Sequence, residues 1–156
     1  MSCGWPDYLG MPGKITPAHD QTVSHRYLIH FPDHAPRESD PYYSDFHAYK
    51  RNRRTAGTYT CDFAVEHRGG DTSECDLVKP LECHHRIIEF ATLNAVDLSL
   101  LEKDYPGVSQ MPVGKWVESA TNLMLLCVFH HRGHAGVHTA SASDYAATFY
   151  IRGLIS

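Results

Sequence analysis

No long hydrophobic run occurs in the 156 residues; the longest apolar stretch, Leu123 to Phe129, is far too short to cross a bilayer. No basic segment followed by an apolar one opens the chain, so no secretory signal is visible and a soluble, cytoplasmic protein without membrane contact is expected. There is no excess of positive charge. The formal net charge of −4 excludes a nonspecific polycation, so any contact with nucleic acid has to use a local patch and a metal. Internal repeats and low-complexity tracts are also missing. The five cysteines (Cys3, Cys61, Cys75, Cys83, Cys127) are odd in number and form no Cys-x-x-Cys pair. Without a secretory signal they argue for reduced thiols or metal ligands over a disulfide framework.

What is present is ordinary except in one respect. A hydrophobic fraction of 42% and a charged fraction of 21% suit one globular domain with a real core. Histidine is the exception: six of the twelve lie between His84 and His138.

Proline and glycine crowd residues 1–24, which read as an irregular arm. Alternating apolar residues over 25–31 suit a short strand. Asp40 and Pro41 can start a helix over about 41–54, with Tyr42, Phe46 and Tyr49 on one face. That helix ends in Lys50-Arg51-Asn52-Arg53-Arg54. Four cations in five residues beside aromatic groups either track a phosphate backbone or complement the helix dipole.

The β-branched and aromatic content of 58–65 reads as a strand, with Gly69-Gly70-Asp71 as a turn. A second strand over 77–88 carries the first His pair. Residues 90–105 read as mostly helical, with Asp97 capping a short helix that Pro106-Gly107 stops. A helical turn over 112–119 buries Trp116. Leu123 to Leu126 is a short buried strand, Cys127 to His131 begins a helix, and 143–155 reads as a closing helix.

Hydrolysis of a phosphodiester needs a deprotonated water, stabilised charge on the phosphoryl oxygens and a cation for the leaving oxygen. Adjacent histidines at a strand end divide such work, because consecutive side chains point to opposite faces. One can bind a metal while its neighbour, neutral near pH 7, acts as a base. In that arrangement His84 is the ligand and His85 the base. Glu82 shares a strand face with His84 and can orient a ligand or a water.

Glu82-Cys83-His84-His85, followed by Asn122-Leu123-x-x-Leu126-Cys127-x-x-His130-His131 and Val137-His138, resembles the HNH endonuclease family. It is similar to the small HNH proteins of actinobacteria and their phages. The resemblance covers roughly residues 61–138. It implies an α+β fold: a ββα-metal (His-Me finger) core with added helices and an irregular N-terminal arm. Residues 1–56 would form the arm and first helix, 57–140 the nuclease core with a helical insertion at about 90–119, and 141–156 a C-terminal helix.

The resemblance further implies that His84 and His131 are metal ligands, His85 the general base, and Asn122 the residue that fixes the loop and the base. A third ligand is open between His134 and His138, because the position the family often uses is Ala135. Gly133 and Gly136 suggest a helix that ends early and a chain that curls back, which favours His138. Many HNH domains also hold a structural zinc, and Cys61, Cys75, Cys127 and His130 are the candidates here, against buried free thiols. Lys50, Arg51, Arg53, Arg54 and Arg132 are the candidate nucleic-acid contacts.

The activity implied is hydrolysis of DNA with 5′-phosphate and 3′-hydroxyl products. It would use one Mg²⁺ or Mn²⁺, with Zn²⁺ or Ni²⁺ able to occupy the same histidines. A non-catalytic, zinc-stabilised DNA-binding module of the same fold is the alternative. DNA is the expected partner, with a homodimer or a packaging partner left open, in the bacterial host cytoplasm if the chain is phage-encoded.

Overall fold

Asp40 makes a turn just ahead of the first helix and is not its N-cap, which is Tyr42 without a side-chain cap. The Asp40 carboxylate accepts the Tyr42 N–H at 2.7 Å, and α1 follows over Tyr43–Thr55, close to the expected 41–54. Tyr49 faces the core, where its hydroxyl donates to the Leu123 carbonyl at 3.0 Å. This computed structural model describes residues 17, 19–22, 31–134 and 136–139. The expected C-terminal helix over 143–155 lies outside those residues, as do most of the N-terminal arm and of the strand expected over 25–31.

The strand expected over 58–65 does not form. Its place is taken by α2, Asp62–Arg68, ended by Gly69 in the left-handed region at φ 60°. The Gly69-Gly70 turn is therefore a helix C-cap and not the turn of a hairpin. Asp62 explains why a β-rich composition lost to a helix. Its carboxylate takes Arg53 in a fork at 2.6 and 3.1 Å and the buried Leu125 N–H at 2.7 Å. One carboxylate in the first turn of α2 thus ties three elements together, and it sits where the helix dipole favours a negative charge.

The sheet is small. β1, Glu82–His85, pairs antiparallel with β2, Leu123–Leu126, so that His84 lies opposite Met124 and His85 opposite Leu123. The strand expected over 77–88 is trimmed to these four residues; Pro80 cannot donate to a ladder, and Val78 is left in solvent. β2 is buried along its whole length and forms the floor of a core with Tyr49, Cys61, Phe63, Ala64 and Leu81. The described residues are thus a mixed α+β arrangement: helices around one two-stranded antiparallel sheet. None of their helices is long and apolar enough to cross a membrane.

Between the strands lies the expected insertion, less regular than 90–105 suggested. A 3₁₀ segment over Phe90–Ala95 is followed by α3, Leu98–Asp104, and α4, Val113–Val117. Asp97 caps α3 as expected, its side chain accepting from Ser99 N–H and Leu100 N–H at 2.8 and 3.3 Å. These pieces build a separate apolar cluster around Phe90, Leu101, Val108, Trp116 and Val117. After β2, Cys127 caps α5, Val128–Arg132.

Replacing Asp62 with Ala strands the Arg53 guanidinium and a buried backbone N–H together. The expected cost is about 3 kcal/mol, read as a lower urea midpoint with an unchanged slope.

Candidate metal centres and active site

β1 sends its last two side chains to opposite sides. His84 turns toward α5 and the residues after it, where His84, His131 and His138 bring ring nitrogens within 4.8 Å of one another. α5 ends at Arg132, and the chain then folds back: Val137 N–H donates to His130 O at 3.1 Å and His138 N–H to His131 O at 3.2 Å. Gly136 allows the close approach, since a Cβ there would meet the His131 carbonyl at 2.7 Å. This curl decides between the two candidate ligands. His138 joins the cluster, its Nε2 3.1 Å from His131 Nε2. His134 does not join it and packs edge-on against Phe129.

The donor set fits a divalent cation. Glu82 lies 2.6 Å from His131 Nδ1, so that nitrogen carries the proton and His131 Nε2 presents a lone pair to His84 and His138. Glu82 is thus a supporting carboxylate for a ligand, and its other oxygen pairs with Arg132 at 2.7 Å. Burial holds His84 and His138 below the ordinary histidine pKa, with neighbouring imidazoles adding to the effect. Both rings are therefore neutral and able to ligate at pH 7.

His85 turns the other way and is 5% exposed. Its Nδ1 faces Glu89 at 3.1 Å, and its Nε2 faces Glu118 at 3.4 Å and Arg37 at 3.3 Å. Burial alone would favour the neutral ring, but Glu118 and Glu89 outweigh it and raise the His85 pKa. Glu89 also comes within 3.6 Å of His84, so one carboxylate reaches both histidines of the pair. Asn122 is wholly buried. Its amide oxygen accepts from Ile87 and Ile88 N–H at 2.9 and 3.1 Å, and its amide nitrogen donates to the Ile88 and Val117 carbonyls at 2.8 and 2.9 Å. This side chain ties the loop that follows His85 to the end of α4, and the Arg86–Glu66 pair fastens the same loop to α2.

Arg37, Glu89 and Glu118 were not marked by any sequence signal. They lie 48, 4 and 33 residues from His85, and only the fold makes them neighbours.

On the far side of α5, Cys61, Cys75, Cys127 and His130 form a second cluster that can hold a metal ion. His130 Nδ1 stands 3.2 Å from the Cys127 sulfur and 3.7 Å from those of Cys61 and Cys75. Tetrahedral zinc, with sulfur at about 2.3 Å and nitrogen at about 2.0 Å, separates neighbouring donors by roughly 3.5 Å, which matches. The Cys61 sulfur accepts the Cys127 N–H at 3.4 Å and the Cys127 sulfur the His130 N–H at 3.5 Å, contacts that favour thiolate. A hydrogen bond from Cys61 together with His130 pulls Cys127 down to about 3, while burial and the charge of Cys127 push Cys75 up to about 12. The four donor atoms lie within 4.8 Å of one another, a spacing at which a cation would stabilise a second thiolate. Cys83 lies outside this cluster; it packs against the core, where burial pushes its thiol up to about 12.

The candidate nucleic-acid cations separate into two groups. Arg53 is internal, committed to Asp62, Tyr49 and Thr58, and Lys50 donates to the Leu81 carbonyl at 2.6 Å. These two cations of the tract are engaged within the protein. Arg51 and Arg54 remain exposed at the end of α1, Arg54 over the Tyr59 ring at 4.2 Å, and Arg132 is exposed beside Glu82. Comparison with protein-family models, curated proteins and solved structures gives no match to this chain.

Two outcomes follow for the metal centres. Removing Glu82 as Glu82→Gln weakens Mn²⁺ binding about 10- to 100-fold by calorimetry. His138→Ala weakens it too, and His134→Ala leaves it unchanged. Elemental analysis of Cys127→Ser finds one bound equivalent fewer than wild type. Acid provides a third outcome: below about pH 6.5 the unfolded chain binds protons that native His84 and His138 refuse, so stability falls as the pH falls. His84→Asn flattens that decline in urea midpoints measured from pH 7.5 to 5.

Proposed function

We propose that this protein is a metal-dependent endonuclease that hydrolyses DNA phosphodiester bonds, with β1, β2 and α5 as a ββα-metal core of the HNH type. The observation that carries this reading is the convergence of His84, His131 and His138 on one point, with His85 outside that cluster and linked to His84 through Glu89, 3.1 Å from His85 Nδ1 and 3.6 Å from His84 Nδ1. A metal cluster alone fits many roles. A metal cluster with an adjacent, separately anchored imidazole fits hydrolysis.

In this reading His85 takes the proton of a water aligned for attack on phosphorus, and Asn122 keeps the loop behind it from shifting. Glu82 fixes the tautomer of His131. Mg²⁺ or Mn²⁺ at the three histidines, replaceable by Zn²⁺ or Ni²⁺, would stabilise charge on the phosphoryl and leaving oxygens. Exposed Arg51, Arg54 and Arg132 supply phosphate contacts in a chain of net negative charge. Cys61, Cys75, Cys127 and His130 hold a structural zinc that locks α2 and the segment after it to the start of α5.

Plasmid nicking with added Mg²⁺ or Mn²⁺, compared with EDTA, tests the proposal. Cleavage is expected with metal and not with EDTA, and His85→Ala loses about 10²- to 10⁴-fold while keeping its fold and its metal. Equal cleavage by His85→Ala would sink the mechanism. Metal and DNA binding by wild type without any cleavage would instead identify a binding module.

A further inference from the structure

Glu118 is the last residue of the insertion to matter to the site and the most deeply buried charge near it. Its side chain is 0% exposed, and both oxygens are engaged. Arg37 Nε donates to one at 3.0 Å and Arg37 Nη2 to the other at 2.9 Å, a forked pair, and both members reach His85 Nε2, the second oxygen at 3.4 Å and Arg37 Nη2 at 3.3 Å. The guanidinium lies flat on Phe46 of α1, 3.7 Å from the ring centre, and Phe46 in turn packs against the His85 ring with centroids 5.8 Å apart. Three separate pieces of the chain therefore close on one imidazole: the segment before α1, α1 itself and the end of α4.

The opposite edge of His85 is built differently. Nδ1 faces Glu89, whose side chain is 42% exposed, sits on the loop after β1 and also leans on His84. One carboxylate is buried and neutralised by an arginine, and the other is partly exposed to solvent.

We propose that Glu118 and Arg37 are the positioning pair of the base: they hold His85 by Nε2 so that Nδ1, on the His84 side, is the nitrogen that receives the proton. The pair does this without adding net charge, because the guanidinium cancels the carboxylate it aligns. Glu89 gives way at Nδ1 when substrate enters. The insertion thereby acquires a task, since it carries the carboxylate that faces His85 Nε2. The assignment rests on the nuclease reading above, and its test has one arm that does not.

That arm is ¹⁵N-labelled imidazole NMR on the full-length, metal-loaded protein at a pH where the His85 ring is neutral. Wild type is expected to show His85 as the Nε2–H tautomer, and Glu118→Gln to lose that preference. An Nδ1–H tautomer in wild type overturns the proposal. The kinetic arm measures DNA cleavage. Glu118→Gln should lower kcat by about 10- to 100-fold with KM for DNA within about twofold, Arg37→Gln should do the same, and in a His85→Ala background neither should cause further loss. Unchanged kcat in Glu118→Gln, or an equal loss in the His85→Ala background, overturns the pair as positioning residues. If wild type itself does not cleave, the nuclease reading fails instead, and the tautomer decides the pair.

Discussion

A buried primary amide has four hydrogen-bonding positions to satisfy, and Asn122 satisfies all four with backbone groups. Three of these groups, from Ile87 and Ile88, lie in the loop just after β1 and one, the Val117 carbonyl, at the end of α4. Asn122 itself sits one residue before β2. The two strands are only four residues long, and so short a ladder would not define its register by pairing alone. Asn122 holds the strand ends together from outside the ladder. Because it does, His84 and His85 leave β1 in fixed and opposite directions, and the insertion returns at a point where Glu118 meets His85.

The two clusters share α5 and divide its residues. His130 turns to the three cysteines and His131 to His84 and His138, although the two are neighbours in sequence. Helical geometry separates adjacent side chains by about 100°, so neighbouring residues serve opposite sides without strain. Five residues of helix then suffice for both centres. A cation at the thiol cluster would fasten α2 and the segment carrying Cys75 to the cap of α5, and so fix where His131 points. On this view the structural site and the histidine site are coupled through one turn of helix.

The sequence was most informative where spacing along the chain equals spacing in space. His131 on α5, Cys127 at its cap and Asp97 at the cap of α3 all follow from local pattern, and the structure places them accordingly. It was misleading at 58–65, where the chain turns helical from Asp62 onward as Asp62 finds Arg53 and Leu125. The preference for His138 over His134 was legible in Gly133 and Gly136, and the close approach of Gly136 to the His131 carbonyl is its physical basis. Arg37 and Glu118 were invisible, since a charged residue acquires meaning there only from a histidine far along the chain. Arg53 was visible for the wrong reason: its place in a basic tract concealed a buried ion pair.

The central claim is that these histidines hydrolyse DNA. It is tested most directly by analysing the ends produced when an end-labelled DNA duplex is incubated with the full-length protein and Mg²⁺ or Mn²⁺. Metal-dependent fragments carrying 5′-phosphate and 3′-hydroxyl groups are the predicted result. An intact duplex under conditions where the three histidines bind metal, or fragments with 5′-hydroxyl ends, would contradict it.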